Sequence, residues 1–429
     1  MSIDINKIFN KRANQSDQER FEKFDLTSNP FPKSGTANIN ESSDQTRLLI
    51  PIDDEVHMQI INYVKDSLFS TQEEDQKLIG TITGDYGTGK TQLLLYAKYL
   101  IQNQDKKAFV IYINNPGTKL SELIGSIIEK IGQEQFKKYL WNQVIDEIKK
   151  DSNDYKNSLL SYLSDKQGQM FGSDNDPFSV ENESNHKAFL DAFLNQINNR
   201  TKRTEFNQTL KSIILRIFEK ENSNDPVISD YFYNLISEDF GVNKTWETIT
   251  TGSGKYLDNK VVKLLNAIIN IIQNQGFERF YLLVDEFEDI TSGRLTKKES
   301  DSYAYNLRAL IDKERRWCLL IALTRTALDD IKKTSPPLVD RLTDRQINIE
   351  RLSNTQTKQI ILNYLNLSRE PSENIFPFSD EAIDFLNKAS EELPRLVLRK
   401  LYFIMERAAD ELNDNDEISA EFVEKYFEN

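Results

Sequence analysis

Gly84-Asp85-Tyr86-Gly87-Thr88-Gly89-Lys90-Thr91 is the stretch that decides the fold. Its eight residues meet the pattern G-x-x-x-x-G-K-[ST] at every defined position. Leu78 to Thr83 ahead of it reads as a short β-strand, and Gln92 to Gln104 behind it reads as a helix. A strand feeding a glycine-rich turn that opens a helix points several backbone N–H groups at one spot, where phosphate oxygens are held. Gly84, Gly87 and Gly89 let the loop, with Asp85, Tyr86 and Thr88, wrap closely around those oxygens. Lys90 is expected along the β- and γ-phosphates, and the Thr91 hydroxyl on Mg2+. The stretch predicts a nucleoside triphosphate site.

Working outward, Arg279 to Val284 reads as a buried strand that ends in Asp285-Glu286. An apolar strand that delivers two carboxylates to its C-terminal end suits a Mg2+-nucleotide site. Asp285 is expected to hold the Mg2+ through its water shell, and Glu286 to orient and polarise the attacking water. Glu288 and Asp289 continue the acidic run and read as solvated turn residues.

Composition narrows the class. The chain has 429 residues, 38% hydrophobic and 28% charged, with a formal net charge of −14. That length allows two or three domains and an ample core. An acidic chain is a poor non-specific binder of nucleic acid, because phosphate neutralisation supplies most of that affinity. The short basic groups Lys137-Lys138, Lys149-Lys150, Arg200 with Lys202 and Arg203, and Arg315-Arg316 read as solvated helix faces. DNA contact is possible but not indicated by charge. His57, His186 and the single Cys318 make neither a disulfide framework nor a usual zinc site. Trp317 to Leu323 and Phe280 to Val284 are strand-sized, so no membrane span is expected. Met1 to Phe24 is charged and has no apolar secretion segment, which points to a cytoplasmic protein.

The pattern along the chain is α/β. Residues 1–45 form a polar N-terminal segment in which Asn29-Pro30-Phe31-Pro32 is extended. Residues 46–352 make the nucleotide-binding core, with a helix over 55–70, a second strand Ala108 to Ile113, a helix Leu120 to Ile131, a helix Val261 to Gln275, a helix Ser300 to Arg315 and a strand Arg316 to Leu323. Residues 133–258 interrupt it as a mainly helical insertion. Helices are expected there at Phe136 to Lys150 and Ala188 to Glu221, flanking a loop-rich stretch Asp151 to Lys187, with a mixed segment ending at Thr250-Thr251-Gly252-Ser253-Gly254. A strand–helix unit needs only about 30 residues, so this region lies outside the core repeat. Residues 353–429 carry four helices, with plausible caps such as Ser353, Ser379 and Ser419. The predicted fold is a P-loop NTPase parallel sheet flanked by helices, with a helical insertion and a C-terminal α-helical lid.

These ordered motifs resemble the AAA+ ATPases, most closely the initiator side that includes the origin-recognition-like proteins. The resemblance covers roughly residues 24–429. It implies ATP with Mg2+, hydrolysis, and ATP sites at the interfaces of a homo- or hetero-oligomer. Asn29-Pro30-Phe31 is similar to the segment that helps enclose the adenine. Thr324, at the end of the Cys318 to Leu323 strand, takes the place of the sensor 1 residue, where asparagine is commoner. Thr324-Arg325 is also similar to signal-transduction ATPases of the STAND group, in which the arginine does the sensing. Leu338-Val339-Asp340-Arg341-Leu342 resembles the segment that carries the arginine finger, which implies Arg341, with Arg345 as the alternative; the plainer reading pairs Arg341 with Asp340 or Asp344. Glu391-Glu392-Leu393-Pro394-Arg395 resembles the sensor 2 motif, lacking its glycine and asparagine, and implies Arg395, with Arg399 one turn on as fallback.

Origin-recognition-like proteins continue into a winged helix; this sequence runs to Asn429, so the expectation is a chain lacking that domain. The implied function is an accessory motor or switch of a bacterial DNA-handling, transposition or defence system, whose protein partner is met by the 133–258 insertion. A STAND-like nucleotide-gated scaffold with little turnover, or an initiator-type DNA loader, are the alternatives.

Overall fold

The computed structural model describes residues 17–35, 50–51, 53–69, 78–150, 154–162, 178–219, 225–237, 242–251, 260–290 and 295–427. Five strands form one parallel sheet: β1 (Leu78–Thr83), β2 (Ala108–Ile113), β3 (Arg279–Val284), β4 (Trp317–Leu323) and β5 (Gln346–Asn348), in the spatial order β2-β3-β4-β1-β5. All seven residues of β4 are buried. A parallel sheet covered on both faces needs apolar side chains in both directions, which explains these near-continuous hydrophobic runs. Side chains alternate by face. Phe280, Leu282 and Val284 with Trp317, Leu319 and Ile321 enter one apolar cluster, whereas Tyr281 and Leu283 with Cys318, Leu320 and Ala322 enter the other. Burial pushes the Cys318 thiol up to about 12, so it stays protonated and acts as a core residue.

The helices Asp54–Phe69 and Lys90–Gln104 cover the second face, with Ile60, Tyr63, Leu93 and Leu94 turned to the sheet. The first face is covered by Leu120–Ile131, Val261–Gln273 and Lys297–Lys313. Two further short helices, Arg325–Thr334 and Pro336–Leu342, and the edge strand β5 complete the core. None of these three is evident in the apolar periodicity of the sequence.

The insertion is helical and more finely divided than the sequence implies. Helices Gln133–Lys149, Tyr155–Ser161, Val180–Ser184, His186–Gln196, Arg200–Glu219, Pro226–Ser237 and Val242–Thr251 are described. The stretch read as loop therefore contains short helices; residues 151–153 and 163–177 of it lie outside the described residues, as do Gly252, Ser253 and Gly254. The single helical run expected over Ala188 to Glu221 breaks after Gln196, and the Arg203 guanidinium donates to the carbonyls of Leu194 and Ile197 at that break. Lys137 is 2% exposed, not solvated, and reaches Glu134 Oε1 at 3.4 Å.

Helices Asn354–Leu365, Asp380–Ala389, Pro394–Glu411 and Ala420–Phe427 form the C-terminal unit around their own apolar cluster. Ser353 and Ser379 accept backbone N–H bonds from Gln356 and Ala382, as N-caps do. The stretch 17–35, expected within a polar N-terminal segment, packs into this unit: Phe21, Phe24, Leu26 and Phe31 belong to the same cluster. Residues 1–16 and 36–49 of the expected N-terminal and core segments lie outside the described residues.

Candidate nucleotide-binding site

The strand order brings three C-terminal strand ends together. β4 lies between β1 and β3, with Thr83 beside Leu323 and Val284 beside Ile321. The residues that follow, Gly84, Thr324 and Asp285, therefore leave the same edge of the sheet. Open α/β sheets bind ligands outside these ends, where the chain order reverses.

Gly84 to Thr91 turns at this edge, and the helix opens at Lys90, two residues earlier than the apolar pattern implies. Gly89 caps it with φ 104°, a value strained for any residue carrying a Cβ. A cavity of about 310 Å³ is lined by Tyr86, Gly87, Gly89, Lys90, Thr91 and Gln92 from this side. Asp285, Glu286 and Glu288 line it from β3, while Gly35, Pro394, Arg395 and Leu398 close it from the C-terminal unit.

Lys90 is 8% exposed, and its ammonium donates to the carbonyls of Gly84 and Asp85, each at 3.0 Å. Burial pushes Lys90 below the ordinary lysine range, and Glu288, Asp285 and Asp85 oppose that shift. Its ammonium also sits 5.4 Å from the centre of the Tyr86 ring, which is 71% exposed at the loop tip. The Thr91 hydroxyl donates to Asp285 Oδ2 at 2.6 Å. A hydroxyl that gives its proton to a carboxylate keeps its lone pairs for a cation, and oxygen ligands of this kind suit Mg2+. A buried ammonium and a buried carboxylate, with the hydroxyl of the exposed Thr91 between the loop and Asp285, thus fit a Mg2+-bound triphosphate.

Glu286 is exposed, with φ 51°, and its N–H donates to Asp285 Oδ1 at 3.0 Å. A non-glycine residue in the left-handed region costs about 1–3 kcal/mol and persists where the surroundings impose it. Glu288 is not a solvated turn residue. It is 9% exposed on the cavity wall, and burial raises its carboxyl above the ordinary range, with Lys90 opposing. The side chain of Asp289 lies outside the described residues.

The arginines separate. Arg395 lines the cavity, and its N–H donates to the Gly87 carbonyl at 3.2 Å. Arg399 is not among the lining residues and stands against Gly35. Thr324 is buried as the N-cap of Arg325–Thr334, accepting from Ala327 N at 3.2 Å, and it lines an adjoining cleft that shares Tyr86 and Glu288 with the cavity. Arg325 turns away to Glu350 at 2.6 Å and the Ile349 carbonyl at 3.0 Å. Arg341 meets Asp312 at 3.2 Å, not Asp340 or Asp344, and Arg345 pairs with Asp66; neither lines the cavity. Asn29-Pro30-Phe31 does not reach the cavity wall: Asn29 donates to Tyr402 O and Glu406 Oε1, and Phe31 packs on Tyr364 and Phe378. Gly35, a few residues on, reaches the wall instead.

Residues 62–372 match the family described as BREX system ATP-binding protein BrxC/D. The chain belongs to that family. The match spans β1 to β5 and the first of the C-terminal helices, so the BrxC/D assignment rests on the sheet and the core-side wall of the candidate site, while Gly35, Pro394, Arg395 and Leu398 lie outside it. No curated protein matches the chain.

Two residues of this BrxC/D-family site carry no sequence motif. Tyr112 on β2 donates to Asp285 Oδ2 at 3.0 Å, so one carboxylate oxygen accepts from both Tyr112 and Thr91. Burial first, and then the Asp285 charge, raise the Tyr112 phenol far above its usual range and keep it a donor. Arg351 reaches Asp85 Oδ2 at 3.2 Å. Neither is recoverable without the β2–β3 register and the path of the chain beyond β5.

Proposed function

We propose that this chain is an AAA+-type ATPase of the initiator-like kind, which binds and hydrolyses ATP with Mg2+ and drives conformational change in a multi-subunit bacterial defence assembly. The observation that carries the reading is the Thr91–Asp285 pair, 2.6 Å apart, on the wall of a cavity lined by Lys90 and roofed by Arg395. Bound Mg2+ would neutralise the β- and γ-phosphates. Lys90 leaves the Gly84 and Asp85 carbonyls to pair with phosphate oxygens. Gly84 to Thr91 supplies the backbone donors, and Asp285, steadied by Tyr112 and Thr91, fixes the cation's place. Glu286, exposed at the cavity, orients the attacking water and accepts its proton. Arg395 comes from the C-terminal unit, which acts as a lid, so lid position follows nucleotide state.

Thr324 is the preferred sensor, since Arg325 is engaged by Glu350 outside the cavity. Arg341, 41% exposed in its side chain and paired within its own chain, is the residue we assign to a neighbour's site, which makes the ATP site one completed at a subunit interface. The insertion meets the protein partner. The DNA-loader reading is not favoured: Lys149, Lys150 and Arg316 are tied to Glu183, Glu147 and Glu314. Among the described residues no helix is long and apolar enough to cross a membrane.

Steady-state ATP turnover tests the reading. The wild-type chain should hydrolyse ATP only with Mg2+, and Glu286→Gln should lose about 100-fold or more of kcat while still binding ATP. Binding without turnover in the wild type, at every protein concentration, would favour the nucleotide-gated scaffold instead. Absence of binding would end both readings.

A further inference from the structure

Arg351 borders the site but has no role in the function proposed above, and it stands at the hinge. It lies between β5 and Ser353, the N-cap of Asn354–Leu365, where the core chain passes into the lid. Its Nε donates to Asp85 Oδ2 at 3.2 Å, and its Nη1 donates to the Glu391 carbonyl at 3.1 Å. One guanidinium therefore spans the phosphate loop and the turn that leads into the lid helix Pro394–Glu411.

The same junction holds two backbone bonds, Leu352 N to Glu392 O at 2.8 Å and Arg395 N to Gly87 O at 3.2 Å. Glu391 and Glu392 sit at φ 55° and 61°. Two successive glutamates in the left-handed region do not adopt it by preference, so the turn is held by what it touches. The Arg351–Asp85 pair is about half exposed, at 48% and 45%. Such a pair adds little to global stability. Its planar fork nevertheless fixes two groups relative to each other, which a point charge does not.

We propose that Arg351 is a positioning residue that seats the lid turn on the phosphate loop and so sets where Arg395 stands over the cavity; this rests on the ATP-site reading above. Asp85 is the arm through which it acts. The Asp85 carbonyl accepts from Lys90 Nζ at 3.0 Å and from Thr88 Oγ1 at 2.9 Å, so a restraint on the Asp85 side chain reaches the cavity lysine. Glu391, at the other end, lies four residues before Arg395. Arg351 itself lines the adjoining cleft of about 600 Å³ with Tyr86, Glu288 and Thr324, and is not among the residues lining the nucleotide cavity. It works through its two neighbours, not by touching the nucleotide.

The test is a double-mutant cycle on the full chain, reading Mg2+-dependent binding of a fluorescent ATP analogue and ATP turnover. Asp85→Asn and Arg351→Gln should each weaken binding by roughly threefold to tenfold, and Arg351→Gln should leave kcat within about twofold. The double variant should bind no worse than the weaker single variant, and Arg351→Lys should recover part of the loss. Losses that multiply in the double variant would overturn the proposal. So would a large loss in Arg351→Gln with Asp85→Asn unaffected, which is the signature of direct phosphate contact. Urea midpoints of the variants should match the wild type; a midpoint that falls in step with binding would also overturn it. A wild type that fails to bind ATP ends the ATP-site reading and this inference together, whereas a wild type that binds, with multiplicative losses in the variants, ends this inference alone.

Discussion

Phe136, Trp141, Phe189 and Ile249 of the insertion share one apolar cluster with Ile111, Phe280 and Leu319 of the sheet, whereas Val397, Leu401 and Ile404 of the lid lie in a cluster of their own. Gly125 shows how close the first attachment is. A Cβ there would run into the carbonyl oxygens of Ile249 and Thr250, so the helices Leu120–Ile131 and Val242–Thr251 meet backbone to backbone. Apart from Ile50 and Leu352, which enter the lid's cluster at the junction, the lid meets the core through polar groups: Arg395 N on Gly87 O, Leu352 N on Glu392 O, Arg351 between Asp85 and Glu391, and Gln356 on Asp53. Apolar burial is lost as a whole or not at all, while a few hydrogen bonds can be exchanged for water at little net cost. Sheet and insertion thus make a single apolar body, and on the function proposed above the lid is the part free to move against it.

The comparison can be broken most severely inside the insertion. Phe193 is fully buried and stacks on Phe206 with ring centres 4.5 Å apart. Phe193→Ala should cost about 3–5 kcal/mol. Because the cluster is shared, urea unfolding followed by fluorescence and by nucleotide binding should show one coincident transition; an insertion that melts first would refute the single body. Leu401→Ala in the lid cluster should cost about 2–5 kcal/mol. Here nucleotide binding should fail at lower urea than the core signal, and coincidence would show the lid welded too.

Gly125→Ala should destabilise by about 1–3 kcal/mol through overpacking at the insertion contact, read as a lowered urea midpoint. No change would mean the two helices separate easily. Tyr112→Phe removes one donor from Asp285 and should weaken Mg2+-dependent ATP binding by about 1 kcal/mol, roughly fivefold, with Mg2+-free binding unaltered. Equal losses with and without Mg2+ would sink that role.

The smallest effect concerns pH. His57 is buried on the core side, with Nδ1 3.0 Å from the Asp53 carbonyl, and burial lowers its pKa. A histidine depressed in the folded state takes up its proton first in the unfolded chain, so stability is full above about pH 6.5 and declines as pH falls below it. His57→Phe should flatten that decline. The lid has no histidine, so its own melting should show no matching step.

Much of this arrangement was legible in the residues. β1, β3 and β4 announced themselves because strands buried on both faces must be apolar throughout, and Gly84 to Thr91 named the edge where they end. Asp285 and Glu286 followed from the same logic. β5 did not, since it is three residues long and its outer two, Gln346 and Asn348, are exposed. Glu288 misled because a glutamate in a short turn is ordinarily solvated, and only the packing of the lid and phosphate loop around it reveals otherwise. Tyr112 was hidden for another reason: it reads as one more strand aromatic until register sets it opposite Leu283, two residues from Asp285 on the same face. The sensor 2 likeness at Glu391 and Glu392 lacked glycine and asparagine, yet both residues take the left-handed backbone that such residues supply.

The docking of residues 17–35 on the lid has a consequence for biosynthesis. Arg20 pairs with Glu406 at 3.1 Å and Asp410 at 3.0 Å, and Lys23 donates to the carbonyl of Ala409. A ribosome making about 5–20 residues per second delivers Glu406, 386 residues after Arg20, only some ~20–80 s later. Phe21, Phe24 and Phe31 spend that interval without the surface they are built to fill. This stretch is made well before the helices it packs on, so its aromatic side chains are buried only once those helices have been synthesised.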